Sequence, residues 1–175
     1  PRPARRHAPS LGLHLLMTGD LRELLARVEL DARPYVDDRT AWDASWRALP
    51  FQLMTYAATL LDYQVAYLRH PGTPLQDLSL VLLANGKPCG VFPLLLTGEP
   101  GARRLSGNGS RLTPPLFLPD VPEKTAKKLS ARLMVLLREL AASQGCETLQ
   151  FEQPCMPGQE AAGLPDWHRE WLDAG

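Results

Sequence analysis

The chain has 175 residues, a formal net charge of zero and no apolar run near the roughly 18 residues of a membrane span; the longest, Leu78–Ala84, is strand-sized. A chain of this length usually forms one domain and buries roughly 70% of the surface its unfolded form exposes. Zero net charge argues against duplex DNA as partner, because DNA binding needs a basic face.

Three cysteines (Cys89, Cys146, Cys155) and four scattered histidines, with no CxxC, argue against a disulfide framework and a zinc site, and no metal is expected. Free thiols in a reducing cytosol are the expectation, hence a cytoplasmic location. No signal-peptide pattern follows the basic, Pro-rich start. The chain opens on Pro1 rather than Met, which suggests the ends of an excised piece.

In chain order, residues 1–10 read as a flexible arm and Leu11–Met17 as a short strand. Asp20 precedes an i, i+3, i+4, i+7 stripe of Leu21, Leu24, Leu25 and Val28, which predicts an amphipathic helix. Pro34 excludes helix there, and Tyr35–Val36 reads as extended. Thr40 is placed as the cap of a second helix carrying Trp42 and Trp46 on one face, with Asp43 favouring its N-terminus. Pro50 ends it. Phe51–His70 reads as one long helix with a stripe of Leu53, Tyr56, Leu60, Tyr63 and Tyr67, closed by Pro71–Gly72.

Leu78–Ala84 and Cys89–Thr97 read as strands joined by Asn85–Gly86, a turn whose residues both tolerate positive φ. Pro93 cannot donate to a ladder, so the return strand is expected at an edge or bulged there. Gly98–Gly101 is a turn, and Leu105–Leu118 is irregular. Pro122 opens the best helix, with Leu129, Leu133, Leu136, Leu137 and Leu140 on one face and Gly145 as its C-cap. Glu147–Glu152 reads as a strand, Pro154–Pro165 as a loop and Asp166–Asp173 as a short helix. Strand, long helix and further strand imply a crossover on a mixed sheet with flanking helices, an α/β (α+β) class.

Arg104-Leu105-Ser106-Gly107-Asn108-Gly109 fits R-x-x-G-x-G, the pyrophosphate loop of GNAT acetyltransferases. Phosphate binding there needs a helix directly after the loop; Pro114 and Pro115 forbid one, and a tight loop beside a cleft is the plainer reading. Tyr56, Tyr63 and Tyr67 suit either an aromatic platform or, more simply, a core stripe. Lys124, Lys127, Lys128 and Arg132 suit a phosphate or RNA contact or, more simply, a solvated helix face. His168, between Asp166 and Glu170, has no neighbouring nucleophile, and Ser106 and Ser110 have no identifiable base. Glu152 stands at a strand end, where α/β sheets border ligand crevices.

The run from Trp42 through Pro50-Phe51-Gln52, Tyr63-Gln64-Val65-Ala66-Tyr67-Leu68, Asp77–Leu82, Gly90-Val91-Phe92-Pro93-Leu94, Ser106-Gly107 and Pro114-Pro115-Leu116-Phe117 resembles the first half of FemAB-like proteins, a branch of the GNAT acyltransferase superfamily. The order of these pieces, over about four-fifths of the chain, carries the resemblance. It implies a GNAT-like, mixed and mostly antiparallel sheet over residues 11–175. It also implies the first half of a longer two-half protein, so a missing second half or a second copy is the expected partner. The implied activity is acyl or aminoacyl transfer to an amine of an amino sugar or other cell-envelope precursor. The donor would be acyl-CoA or aminoacyl-tRNA.

On that reading Arg104 meets donor phosphate or acceptor carboxylate. Ser106, Asn108 and Ser110, with Glu152 and Gln153 at the strand end, line the cleft. Two other expectations stay open: a non-catalytic module binding a ligand or partner, and a stand-alone acetyl-CoA-dependent N-acetyltransferase.

Overall fold

A computed structural model describes residues 18–69, 74–107 and 111–152. The arm, the Leu11–Met17 strand, the Pro71–Gly72 stop, the 154–165 loop and the 166–173 helix lie outside the described residues. So do Asn108, Ser110 and Gln153.

Helix α1 is Thr18–Arg27, and its apolar stripe (Leu21, Leu24, Leu25) is buried as expected. Strand β1 (Ala32–Pro34) follows, then a 3-10 turn at Tyr35–Asp37. The extended piece therefore ends at Pro34 instead of occupying Tyr35–Val36. Helix α2 (Arg39–Ala48) is capped by Asp38, whose carboxylate accepts from the Ala41 N–H at 3.1 Å; Thr40 lies inside the helix. Asp38 and Thr40 are both good caps, and the 3-10 turn before the helix decides between them by placing Asp38 outside it. Leu49, extended because Pro50 follows, terminates α2.

The expected long helix over Phe51–His70 is instead a 3-10 turn (Met54–Tyr56) and a shorter helix α3 (Ala58–Leu68). Tertiary contacts override the helical spacing. The Trp42 indole N–H donates to the Tyr56 carbonyl at 2.8 Å, and that of Trp46 donates to the Leu53 carbonyl at 3.0 Å. The Tyr56 carbonyl is thus held by a side chain rather than by the amide one turn on. Starting at Ala58, α3 buries Ala58 and Leu61, while Tyr63 (60% exposed) and Tyr67 (68%) face water, their rings stacked with centroids 5.9 Å apart. The tyrosine stripe is therefore not one core face.

The strands are β2 (Leu75–Asp77), β3 (Leu80–Ala84), β4 (Lys87–Phe92), β5 (Leu95–Thr97), β6 (Arg104–Ser106) and β7 (Leu116–Phe117). The predicted turn joins β3 and β4, with φ of 53° at Asn85 and 74° at Gly86. The sheet orders are β1-β3-β4-β7 and β2-β5-β6, with every strand pair antiparallel. Leu75 pairs with Thr97 and Leu80 with Phe92, so β2–β3 and β4–β5 keep one register from Leu75 to Leu82, beyond which the pairing slips by one residue. They form a single long hairpin whose ladder opens at Leu78–Ser79 opposite Pro93–Leu94. Within that gap the Leu78 N–H still reaches the Leu94 carbonyl (2.8 Å), but the Leu94 N–H turns to the Ser79 hydroxyl (3.1 Å). Pro93 is therefore an interruption inside the sheet, since β4 lies between β3 and β7.

Asp77 secures this interruption by accepting from the Ser79 N–H at 2.9 Å. Burial, and then the charge of Asp62, push its carboxyl above the usual range, against the Ser79 amide and hydroxyl and Arg69. A raised folded pKa means that stability is lost as pH rises through that pKa. Asp77→Asn, which keeps the accepting oxygen, is expected to be more stable than the parent at pH 7 and to lose this advantage at pH 3. Urea midpoints at the two pH values check this; an equal shift at both would remove ionisation as the cause.

Helix α4 (Glu123–Gln144) starts after Pro122 and stops at Gly145, whose φ of 67° ends it as expected. Leu133, Leu136, Leu137 and Leu140 are fully buried, each contributing about 1.5–3 kcal/mol. They pack with α1 on Leu80, Leu82, Phe92, Leu94 and Leu105. On the opposite face Val81, Leu83, Val91 and Leu95 carry Trp42, Tyr56 and Leu61 from the α2–α3 side. The fold is thus mixed α+β, an antiparallel sheet between two helical layers. No helix among the described residues is long and apolar enough to cross a membrane.

The basic residues of α4 form a solvated face: Lys124 and Lys128 are exposed, Lys127 pairs with Glu123 at 2.6 Å and Arg132 pairs with Glu29. Cys89 and Cys146 are free thiols. Burial pushes the Cys89 thiol up to about 11 and raises that of Cys146, so neither is an activated nucleophile.

Candidate functional site: an opening in the sheet

Strands β6 and β7 both run along the β4–β5 strand. Ser106 pairs with Leu95, and Leu116 with Val91. Between them Gly107 and residues 111–115 lie outside the antiparallel ladder, opposite the point where Pro93 brings no N–H. The excursion closes on itself through a hydrogen bond from the Gly107 N–H to the Arg111 carbonyl, 2.8 Å. A Cβ at Gly107 would come within 2.8 Å of Thr113 Oγ1, so this closure needs glycine there.

Leu112 then bridges Phe151 in parallel, its N–H donating to Gln150 and its carbonyl accepting from Glu152, both at 2.8 Å. The strand expected over Glu147–Glu152 shrinks to this one bridge. Leu149 and Phe151 do pack together on the α4 side. Of the expected crossover on a mixed sheet, only this isolated parallel bridge stands among the described residues; the strand pairs themselves are antiparallel.

Side chains alternate across a sheet, and residues opposite one another share a face. Leu112 and Phe151 belong to the core on the α4 side, so Thr113 and Glu152 point together to the α2–α3 side. Ser106, paired with Leu95, points the same way. Tyr56 reaches this place from beneath, its phenol donating to the Pro114 carbonyl at 2.7 Å. Burial holds that phenol far above its usual range; the Thr113 hydroxyl beside it works against this, and the charge of Glu152 adds to it. The opening thus gathers Ser106, Thr113, Tyr56 and Glu152 on one face.

One polar atom in this group, the buried Ser106 Oγ, has no hydrogen-bond partner among the described residues. The Thr113 hydroxyl, also buried, is in hydrogen-bond contact with the Tyr56 phenol. An unsatisfied buried hydroxyl costs about 1–3 kcal/mol.

Of the residues expected to line a cleft, Ser106 and Glu152 are brought together. Arg104 lies two residues before Ser106 on the same face of β6, exposed and paired across the strands with Thr97. Thr113 did not stand out in the sequence as a site residue, and Tyr56 did so only within the Tyr56, Tyr63 and Tyr67 platform. Thr113 had a signal: the Pro114–Pro115 pair forces extended backbone before it, which fixes its face relative to Leu112. The platform does not form as one surface, because the helix that would align the three tyrosines starts only at Ala58 and Tyr56 is buried while Tyr63 and Tyr67 are exposed.

These features define a mixed α+β protein with a polar opening where an antiparallel sheet passes into a parallel bridge. Compared with protein-family models, curated proteins and solved structures, the chain matches none.

Proposed function

We propose that this chain is the N-terminal, GNAT-like half of a FemAB-type transferase that moves an acyl or aminoacyl group onto an amine of a cell-envelope or surface-sugar precursor. The observation that carries the reading is the placement of Glu152 beside Thr113 and the Tyr56 phenol, on the face of the sheet where Ser106 Oγ is buried without a partner among the described residues. In such a transfer the amine nitrogen attacks the donor carbonyl carbon. The C–S bond of an acyl-CoA, or the C–O bond of an aminoacyl ester, breaks. The amine proton passes to a base, and the departing thiolate or alkoxide takes up a proton. The reaction needs the amine held against the donor and a base within reach; Glu152 is the carboxylate in position for that role. Arg104, exposed on the same face, suits donor phosphate.

The test is calorimetric titration with acetyl-CoA against free CoA as control. It is followed by product analysis with glucosamine as acceptor and acetyl-CoA or aminoacyl-tRNA as donor. With both halves of the transferase present, micromolar donor binding and an N-acylated product are expected. Loss of a general base typically costs 100-fold or more, so Glu152→Gln should lower turnover by about that factor. No product with either donor sinks the reading.

A second reading, a non-catalytic module that binds a ring-shaped ligand, is favoured by the exposed stack of Tyr63 on Tyr67. It expects sugar binding that Tyr63→Ala abolishes, with no product formed.

A further inference from the structure

We infer that the sheet flexes about a line between its four-stranded and three-stranded parts, and that the Asp77 carboxyl is the proton-operated catch on that line. This goes beyond the transfer reading and stands without it. The strands break at one level. Strand β1 ends at Pro34, paired with Leu80, and Leu80 pairs with Phe92, which closes the four-stranded part. The three-stranded part begins where Asp77 pairs with Leu95 and Leu95 with Ser106. Leu78–Ser79 and Pro93–Leu94 stand between, while β6 ends at Ser106 and β7 begins only at Leu116.

Other hydrogen bonds take the ladder's place on this line. The Leu78 N–H reaches the Leu94 carbonyl at 2.8 Å and the Tyr35 N–H reaches the Ser79 carbonyl at 2.7 Å. The Leu94 N–H relies on the Ser79 hydroxyl at 3.1 Å, and the Ser79 N–H on the Asp77 carboxyl at 2.9 Å. Two of these bonds thus run through side chains, and a segment held by few ladder bonds opens more readily than a regular sheet. Leu78 and Leu94 are fully buried in the core shared with α4, so the motion is a flexing over an intact core. Ser106 lies on one side of the line and Leu116 on the other, so flexing changes the span of the candidate site.

Charge decides which form is favoured. Asp77 faces the Ser79 amide and hydroxyl, Asp62 of α3 and Arg69 just beyond α3. Asp62 is engaged by the Tyr35 phenol at 2.8 Å and by Arg39 of α2 at 2.5 Å. A protonated Asp77 sits beside Asp62 without repulsion. An ionised one meets that charge in a desolvated place, with Arg69 and the Ser79 donors opposing, and flexing that admits water relieves both penalties. Burial raises this carboxyl above its ordinary range in the closed form. The flexed form, with a hydrated carboxyl, therefore gains population as pH rises from the ordinary carboxylate range through the raised value, and loses it on acidification.

Hydrogen exchange followed by NMR on the whole chain tests this. Protection of the Leu78 and Leu94 amides, corrected for the intrinsic rate, is expected to fall about tenfold or more between pH 4 and pH 7.5 relative to Leu136 and Leu137 of α4, which report global unfolding. Asp77→Asn should hold these amides at their acid level at both pH values. Asp62→Asn, which keeps an oxygen for Tyr35, should lessen the fall. If Asp77→Asn does not fold, the carboxyl resonance of Asp77 in the parent chain decides, because protection at Leu94 must follow its titration. A fall in step with Leu136, no fall, the same fall in Asp77→Asn, or a fall that does not follow the Asp77 titration overturns the inference.

Discussion

Trp42→Ala is expected to lower the unfolding free energy by about 3–5 kcal/mol, against a total of about 5–15 kcal/mol for a domain of ordinary stability. Trp42 is fully buried, meets Tyr35 edge-on with ring centroids 5.1 Å apart, and packs with Tyr56 and Leu61 against Val91 and Leu95. Truncation leaves a cavity under the sheet that Leu61 and Leu49 are too well packed to refill. It also frees the Tyr56 carbonyl, to which the indole donates, and an orphaned buried carbonyl adds its own cost. Trp42→Phe keeps most of the volume and loses only the hydrogen bond, so it should cost clearly less. Urea denaturation of the two variants measures the difference. A shift for Trp42→Ala within the about 0.5 kcal/mol of a surface substitution would mean that α2 does not pack on the sheet as described.

The same contact explains how far the sequence could be read. Elements whose signals are local came through. The Asn85–Gly86 turn, the leucine face of α4, its Gly145 stop and the buried stripe of α1 each depend on residues within a few positions of one another. What failed was decided at a distance. Helical spacing from Phe51 to His70 is real, but the indoles of Trp42 and Trp46 hold carbonyls that a continuous helix would need, and the helix starts only at Ala58. That delay rotates Tyr63 and Tyr67 out of the core and leaves Tyr56 under the sheet.

The candidate site follows the same rule. Glu152 was readable from its place at a strand end, and Ser106 from the R-x-x-G-x-G run that contains it. Their partnership with Thr113 required the parallel bridge between Leu112 and Phe151, a pairing 39 positions apart that no periodicity announces. Pro93 was readable as an irregularity, whereas its place in the middle of the sheet depends on which strands flank it.

Tyr56→Phe is expected to cost about 1–3 kcal/mol, the usual penalty for a buried acceptor that loses its donor, because the phenol donates to the Pro114 carbonyl. It should also flatten the alkaline limb of the stability profile. An unfolded tyrosine ionises near pH 10, whereas burial holds the folded Tyr56 phenol well above that. Between those two pKa values the folded state keeps a proton that the unfolded state has lost, so stability is fully present below pH 10 and falls as pH rises above it. Tyr35, raised by burial and by its hydrogen bond to Asp62, contributes a fall of the same sign. The parent chain should therefore lose stability from about pH 10 upward, Tyr56→Phe should lose less, and Tyr35→Phe with Tyr56→Phe least of all. Urea midpoints between pH 8 and 11 give the comparison. Parallel curves for the parent and Tyr56→Phe would mean that the phenol is open to solvent and does not tether residue 114.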